Sequence, residues 1–275
     1  MNEALEKENY LSEARAVFGG TIYEYDIKQA NINILYSYNL ISDFEYQWLQ
    51  LAPKSDRNWY IGKKAQMDIV YNGKTKSDIN RAISEGVLKA RRLLVESNNI
   101  QLDQILRAAK DSVFVNRTLP LDTLKFDLNG NNRPIVFTLR NIYDHYIRFE
   151  NGIIIMIADK KSSFDVEVKG IDDKLLPLHH DFISVLAKLI YIRSYNKEAS
   201  LKEFNQFYED YVSLKCPVNM YRELSSASGF RYKNNLHLMI QPMPLVLPND
   251  FDKTILDISC NLSILRELYV LIYNN

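Results

Sequence analysis

Two runs decide how this chain folds: Lys110-Asp111-Ser112-Val113-Phe114-Val115 and, far upstream, Tyr23-Glu24-Tyr25-Asp26-Ile27. Each is rich in β-branched and aromatic residues, the composition of a strand, and each carries an acid at an end or a turn. Asp26 closes the upstream strand. Asp111 sits in the bend between Gln104-Ile105-Leu106-Arg107-Ala108-Ala109 and Ser112 to Val115. Two carboxylates brought by separate strands to one end of a sheet make a cage for Mg²⁺. That ion takes a few rigid carboxylates and leaves its other positions to water and substrate phosphates. The expectation is that the rest of the chain holds these two acids together.

The 275 residues carry enough apolar content for one large domain or two small ones. The 34 Lys and Arg balance the 34 Asp and Glu, whereas a protein gripping nucleic acid over a long footprint is usually basic. Charge is nonetheless segregated, with Lys63, Lys64, Lys89, Arg91, Arg92 and Arg107 among the cations crowded ahead of Asp111. Cys216 and Cys260 have no metal-ligand spacing and read as reduced thiols. The start, Met1 to Glu8, is charged and lacks an apolar signal core, and no run reaches transmembrane length. A soluble cytoplasmic protein with no membrane partner is expected.

Working outward, Asn2 to Arg15 has a polar helical look and ends at the turn signal Phe18-Gly19-Gly20. The strand Thr21 to Ile27 follows, and Gln29 to Leu35 turns into a helix. Asp43 to Leu51 reads as a short helix capped by Ser42. Another spans Asn58 to Tyr71. Ser77 to Asn98 is the clearest helix, with Ile79, Ile83, Val87, Ala90 and Leu94 recurring at three- and four-residue steps. Beyond Asp111, Pro134 to Leu139, Ile142 to Phe149, Gly152 to Ala158 and Ser163 to Val168 read as successive strands. Helices return at His180 to Arg193, Leu201 to Leu214 and Asp252 to Tyr273, with a Pro-rich link around Pro242, Pro244 and Pro248. A domain boundary is expected near Asp172. His179-His180 reads as a solvated helix start, and there is no Gly-rich phosphate loop, recognisable Ser-His-Asp arrangement or zinc signature.

Gly19-Gly20 followed by Tyr25-Asp26-Ile27-Lys28-Gln29-Ala30-Asn31 resembles motif A of family B DNA polymerases. Lys64 through Asp68-Ile69-Val70-Tyr71-Asn72 resembles motif B, and Lys110 to Val115 resembles motif C. Arg140-Asn141-Ile142-Tyr143 and Val168-Lys169-Gly170-Ile171 stand where that family has its Lys-x-Tyr element and its Lys-Gly turn. The resemblance covers roughly residues 19–171.

It implies a palm over residues 1–171, with a much-shortened fingers region, and a helical thumb-like region over 172–275. Asp26 and Asp111 would be the catalytic acids, holding two Mg²⁺ ions, with Mn²⁺ as a substitute. Lys63, Lys64, Asn31 and Tyr71 would contact the nucleoside triphosphate, and Arg140, Tyr143 and Lys169 the primer-template backbone. The chain departs from the pattern at Lys110, where motif C has its first Asp, and at Asn31, where motif A has a Tyr. Motif B has Asp68 and Asn72 in place of Asn and Gly. Little chain lies between Asp26 and Lys63, where the family carries long fingers helices, and nothing ahead of motif A would form a proofreading domain.

The fold expectation is α+β: a palm-like antiparallel sheet backed by helices, then a mainly helical C-terminal region. The leading functional expectation is template-directed nucleotidyl transfer by a minimal polymerase. Its origin would be a phage or another mobile element, which suits the Asn-, Lys- and Tyr-heavy composition. The alternative is a non-catalytic, polymerase-derived subunit that binds nucleic acid or protein in a replication or transcription complex. A reverse-transcriptase-like palm is a third reading, against which stands the lack of a second Asp after Asp111.

Overall fold

The computed structural model describes residues 9–72, 77–160, 163–221, 224 and 259–274. Strands β1 (Asn9–Leu11) and β2 (Ala16–Ile27) come first. Helices α1 (Ala30–Ser37), α2 (Asp43–Leu51), α3 (Lys54–Asn72) and α4 (Asp78–Ser97) follow. Then come β3 (Ile105–Ala109), β4 (Ser112–Val115), β5 (Thr123–Phe126), β6 (Ile135–Arg148), β7 (Ile154–Lys160) and β8 (Ser163–Lys169). Helices α5 (His180–Tyr195), α6 (Lys197–Val212) and α7 (Ser259–Tyr273) close the described chain. The class is α+β, with antiparallel strands and with helices closing the described residues, as the sequence led us to expect.

The chain divides into two compact units. Unit 1 takes Met1–Glu13 and Thr21–Ile142, and unit 2 takes Ala14–Gly20 and Tyr143–Asn275. The division falls within β6, whereas Asp172 marks only the change from strands to helices. In unit 1 the strand order is β1-β3-β4-β2-β6, with β5 also paired to β6. Helices α1 and α4 cover this sheet, and Ile34, Ala90, Leu94, Ile105, Val113 and Phe137 meet in its core. In unit 2, β6 pairs with β7 and β7 with β8. There Ile155, Phe182, Leu186, Phe204, Leu268 and Ile272 share a core with the three C-terminal helices.

Several elements differ from expectation. Asn9–Leu11 is a strand, not the end of a helix, because it pairs antiparallel with Arg107 to Ala109; the tertiary partner overrides the polar helical pattern. Gly19 does not end an element but lies inside β2 at φ +63°, where its N–H donates to His145 Nδ1 at 3.2 Å. Only glycine holds that backbone shape without cost. The two strands expected across residues 134–149 are one, β6. Arg140 and Asn141 read as a turn, yet their side chains are taken up by Glu24, which lets polar residues sit in mid-strand. Strand β5 carries too few apolar residues to be recognised alone. The Pro-rich link at Pro242, Pro244 and Pro248 lies outside the described residues, as does the segment 252–258.

Candidate functional site

The site is built where β2 ends. Its last residues pair with β4 in the register Tyr23↔Val115, Glu24↔Phe114, Tyr25↔Val113 and Asp26↔Ser112. Strands β3 and β4 form a hairpin closed by Ala109↔Ser112, so Lys110 and Asp111 are its two turn residues. The Ile27 N–H donates to the Asp111 carbonyl at 2.9 Å, which fixes the hairpin turn beside the end of β2. Both acids therefore reach the same end of the sheet. After Asp26 the chain leaves the sheet by a sharp turn, with Gln29 at φ +47°, straight into α1.

Asp26 and Asp111 line a cleft of about 240 Å³ together with Gln29, Asn31, Lys54 and Arg57. A second cleft of about 570 Å³ shares Asn31, Lys54, Asn58 and Asp111, and extends over α4 to Ile83, Val87, Arg91 and Lys110. Lys54, Arg57, Asn58 and Ile61 occupy steps of three and four along α3, a single helical stripe, which is why one helix supplies so much of the wall.

The electrostatics at Asp26 are unfavourable for an isolated carboxylate. Burial pushes its carboxyl up from 3.8 to about 6; the negative charge of Asp111 adds to this, Arg140 opposes it, and Glu24 pushes further. Arg140 Nη1 stands 3.6 Å from Asp26 Oδ2 and 3.7 Å from Glu24 Oε1. Glu24 itself is buried, and its Oε2 accepts from Asn141 Nδ2 at 2.9 Å. Asp26 Oδ1 and Gln29 Oε1 are buried acceptors with no hydrogen-bond partner among the described residues. Such an oxygen costs free energy unless a donor or a cation meets it.

That donor set suits a hard divalent cation. Among the described residues no group of three or more His, Cys, Asp or Glu is placed to hold a metal. An ion here would rest on two carboxylates, water and substrate phosphate, which is how Mg²⁺ is usually held. Asp26 and Asp111 are thus brought together, with Asn31 beside them.

The other expected site residues divide. Lys64 is held away from the cleft by Glu45, Nζ to Oε1 at 2.7 Å, and Lys63 is exposed with its Nζ 3.4 Å from Gln66 Oε1. The cations at the cleft are instead Lys54 and Arg57, further towards the start of α3. Sequence reading missed them because it began that helix at Asn58, although Pro53 and Asp56 mark a start one turn earlier. The Tyr71 side chain lies outside the described residues. Asp68 accepts from Ser77 Oγ at 3.1 Å and from the Asp78 N–H at 2.6 Å, so it serves the start of α4. Arg140 flanks Asp26, as described. Tyr143 is not a surface group: it is buried in unit 2, and its hydroxyl donates to Glu167, which also pairs with Lys169.

The fold and site define an α+β protein with an acid-lined cleft where a strand end meets a hairpin turn. The chain belongs to the Bacteriophage PBS1 gene 130 protein family, whose profile matches residues 1–269. It is therefore a phage-type protein. No curated protein matches it. Among the described residues, no helix is long and apolar enough to cross a membrane.

Proposed function

We propose that unit 1 is a reduced palm, similar to that of family B DNA polymerases, which joins nucleotides to a nucleic-acid primer in the infected cell's cytoplasm. The observation that carries this reading is the convergence of Asp26 and Asp111 on one cleft, opposite the cations Lys54 and Arg57. Asp26 and Asp111 would hold Mg²⁺. Bound there, the metal would supply a Lewis acid to the attacking hydroxyl and a counter-charge to the departing pyrophosphate.

The chain's own groups do the rest. Lys54 and Arg57 bind the triphosphate, Arg57 with a fork of donors and Lys54 as a point charge. Asn31 lies at the shared wall of the two clefts, where it meets the sugar. Its small side chain leaves room for a ribose hydroxyl. Arg140 offsets the charge of Asp26 and Glu24 before the ligand arrives. The helices after residue 172 take the thumb-like part.

The test is extension of a labelled primer on a template, with Mg²⁺ or Mn²⁺ and with dNTPs and NTPs in separate reactions, beside Asp111→Ala. Extension that the substitution abolishes supports the reading. No extension with either metal rejects it.

A second reading, a non-catalytic subunit of a phage replication or transcription complex, is favoured by a different observation. The outer faces of α2 and α3 expose Phe44 (80%), Leu51 (89%) and Trp59 (64%), more large apolar surface than a solvated helix pair needs. Co-purification of a stoichiometric phage protein, lost on Leu51→Glu, would support this reading.

A further inference from the structure

We propose that the second cleft, over α4, is a phosphodiester-binding subsite in which Lys110 meets a nucleic-acid strand. The inference rests on the reading of Asp26 and Asp111 as one end of a nucleic-acid site, and it assigns a role to the residue that departs most from the resembled pattern.

Lys110 stands at the tip of the β3–β4 hairpin with φ +51°. A residue with a Cβ is disfavoured there and Gly or Asn is the usual choice, so a lysine at this tip calls for a reason in its side chain. Arg91, fully buried in α4, donates from Nη2 to the Lys110 carbonyl and holds the turn in place. Lys110 lines the second cleft but not the first. Among the described residues it makes no ion pair, so it is not the internal counter-ion of Asp26 or Asp111.

The chemistry of this cleft is that of an anion site joined to an apolar floor. Lys54 and Lys110 share the cleft with one acid, Asp111, and with Arg91, which is buried and bonded to the Lys110 carbonyl; Ile83, Val87 and Leu88 of α4 form the apolar part. Cations with neutral amides suit a phosphate, and the floor suits a base or sugar. The two clefts share Asp111, Asn31, Lys54 and Asn58. A strand whose reacting end lies at Asp26 would therefore carry a neighbouring phosphate past Lys110. A nucleoside triphosphate offers the same phosphate chemistry, and the experiment separates the two.

The full chain is titrated into a fluorescein-labelled oligodeoxythymidylate in EDTA, by anisotropy over a salt series, and separately into dATP by calorimetry. Wild type is compared with Lys110→Ala, Lys110→Arg, Lys110→Gly and the control Lys125→Ala on β5. Lys110→Ala is expected to weaken oligonucleotide binding on the order of five- to tenfold and to flatten the log–log salt dependence by about 0.7. Lys110→Arg restores both, and Lys125→Ala changes neither. Lys110→Gly raises Tm, because glycine suits the positive φ, yet weakens binding as Lys110→Ala does. A merely structural lysine would move the two together.

Unchanged affinity and slope overturn the proposal. So does a loss that falls on dATP rather than on the oligonucleotide, or a wild type that binds no oligonucleotide. Absent primer extension with the slope change intact removes the polymerase reading and leaves the subsite standing. Extension without the slope change removes the subsite alone.

Discussion

At the scale of single residues, Asp26 is held in a state that costs stability. Its carboxyl is raised from 3.8 to about 6, by burial first and then by Asp111. A carboxyl whose folded pKa exceeds its unfolded value favours the fold below about pH 4, and that advantage is lost as pH rises through 6. Asp26→Asn is therefore expected to stabilise the protein by on the order of 1–3 kcal/mol at neutral pH and by almost nothing in acid, measured by urea unfolding at both pH values. In wild type, Mn²⁺ should raise Tm, and in Asp26→Asn it should not. Glu45 runs the other way. Burial would raise it, but Lys64, the Ser42 N–H and the Tyr60 hydroxyl hold it down at about 2. Its stabilisation is present above about pH 4.5 and is lost as pH falls through 2. Lys64→Ala should cost about 1 kcal/mol at neutral pH, after allowing for solvent screening, and progressively less in acid unfolding curves. The same residues show what was legible. Asp26 and Asp111 were readable because an acid at a strand end is a local signal. Lys64 was not, because its partner Glu45 lies on another helix, and nothing in the lysine's own neighbourhood says which way it turns.

At the scale of elements, α4 packs against α1 through Gly86. A Cβ there would run into Ile34 Cγ2 and meet Tyr38 Cε2 at 3.0 Å. Glycine inside a helix is ordinarily the poorer choice by about 1 kcal/mol, so the close approach of α1 outweighs propensity. Gly86→Ala should destabilise by about 1–3 kcal/mol despite the gain in helix propensity, as overpacking does, and thermal unfolding would read it. Lysates of cells making that variant should also show less soluble protein. Helices were legible where they carried their own punctuation. Ser42 caps α2 in a reciprocal box with Glu45, and Ser77 Oγ accepts from the Ile79 N–H at 3.1 Å to cap α4. Strands were legible only where their apolar pattern was uninterrupted. Strand β6 was divided at Arg140 and Asn141 because the acid that takes up these side chains, Glu24, is remote in sequence. Strand β1 was missed because its pattern is set by the hairpin it pairs with rather than by its own residues.

At the scale of the whole molecule, 34 basic residues balance 34 acidic ones, so net charge supplies no long-range pull on nucleic acid, and affinity for it depends on where cations are placed. The structure supplies such a set in unit 1, where Lys54, Arg57 and Lys110 line two adjoining clefts. Other cations of the basic segment are spent on internal contacts: Lys64 on Glu45, Arg81 on Asp78 and Arg107 against the Phe114 ring. Composition could count these charges but could not separate the placed from the spent, since that depends on partners brought in by the fold. The consequence is measurable. Each phosphate neutralised on a single strand contributes about −0.7 to the slope of log affinity against log salt concentration. Lys54, Arg57 and Lys110 at the clefts predict a slope of about −2, shallow beside that of a protein wrapped by its substrate. A slope several times steeper would mean that cations outside these clefts carry the contact. A slope near zero would mean that the α2–α3 apolar face, and not the charged cleft, is where this protein meets its partner.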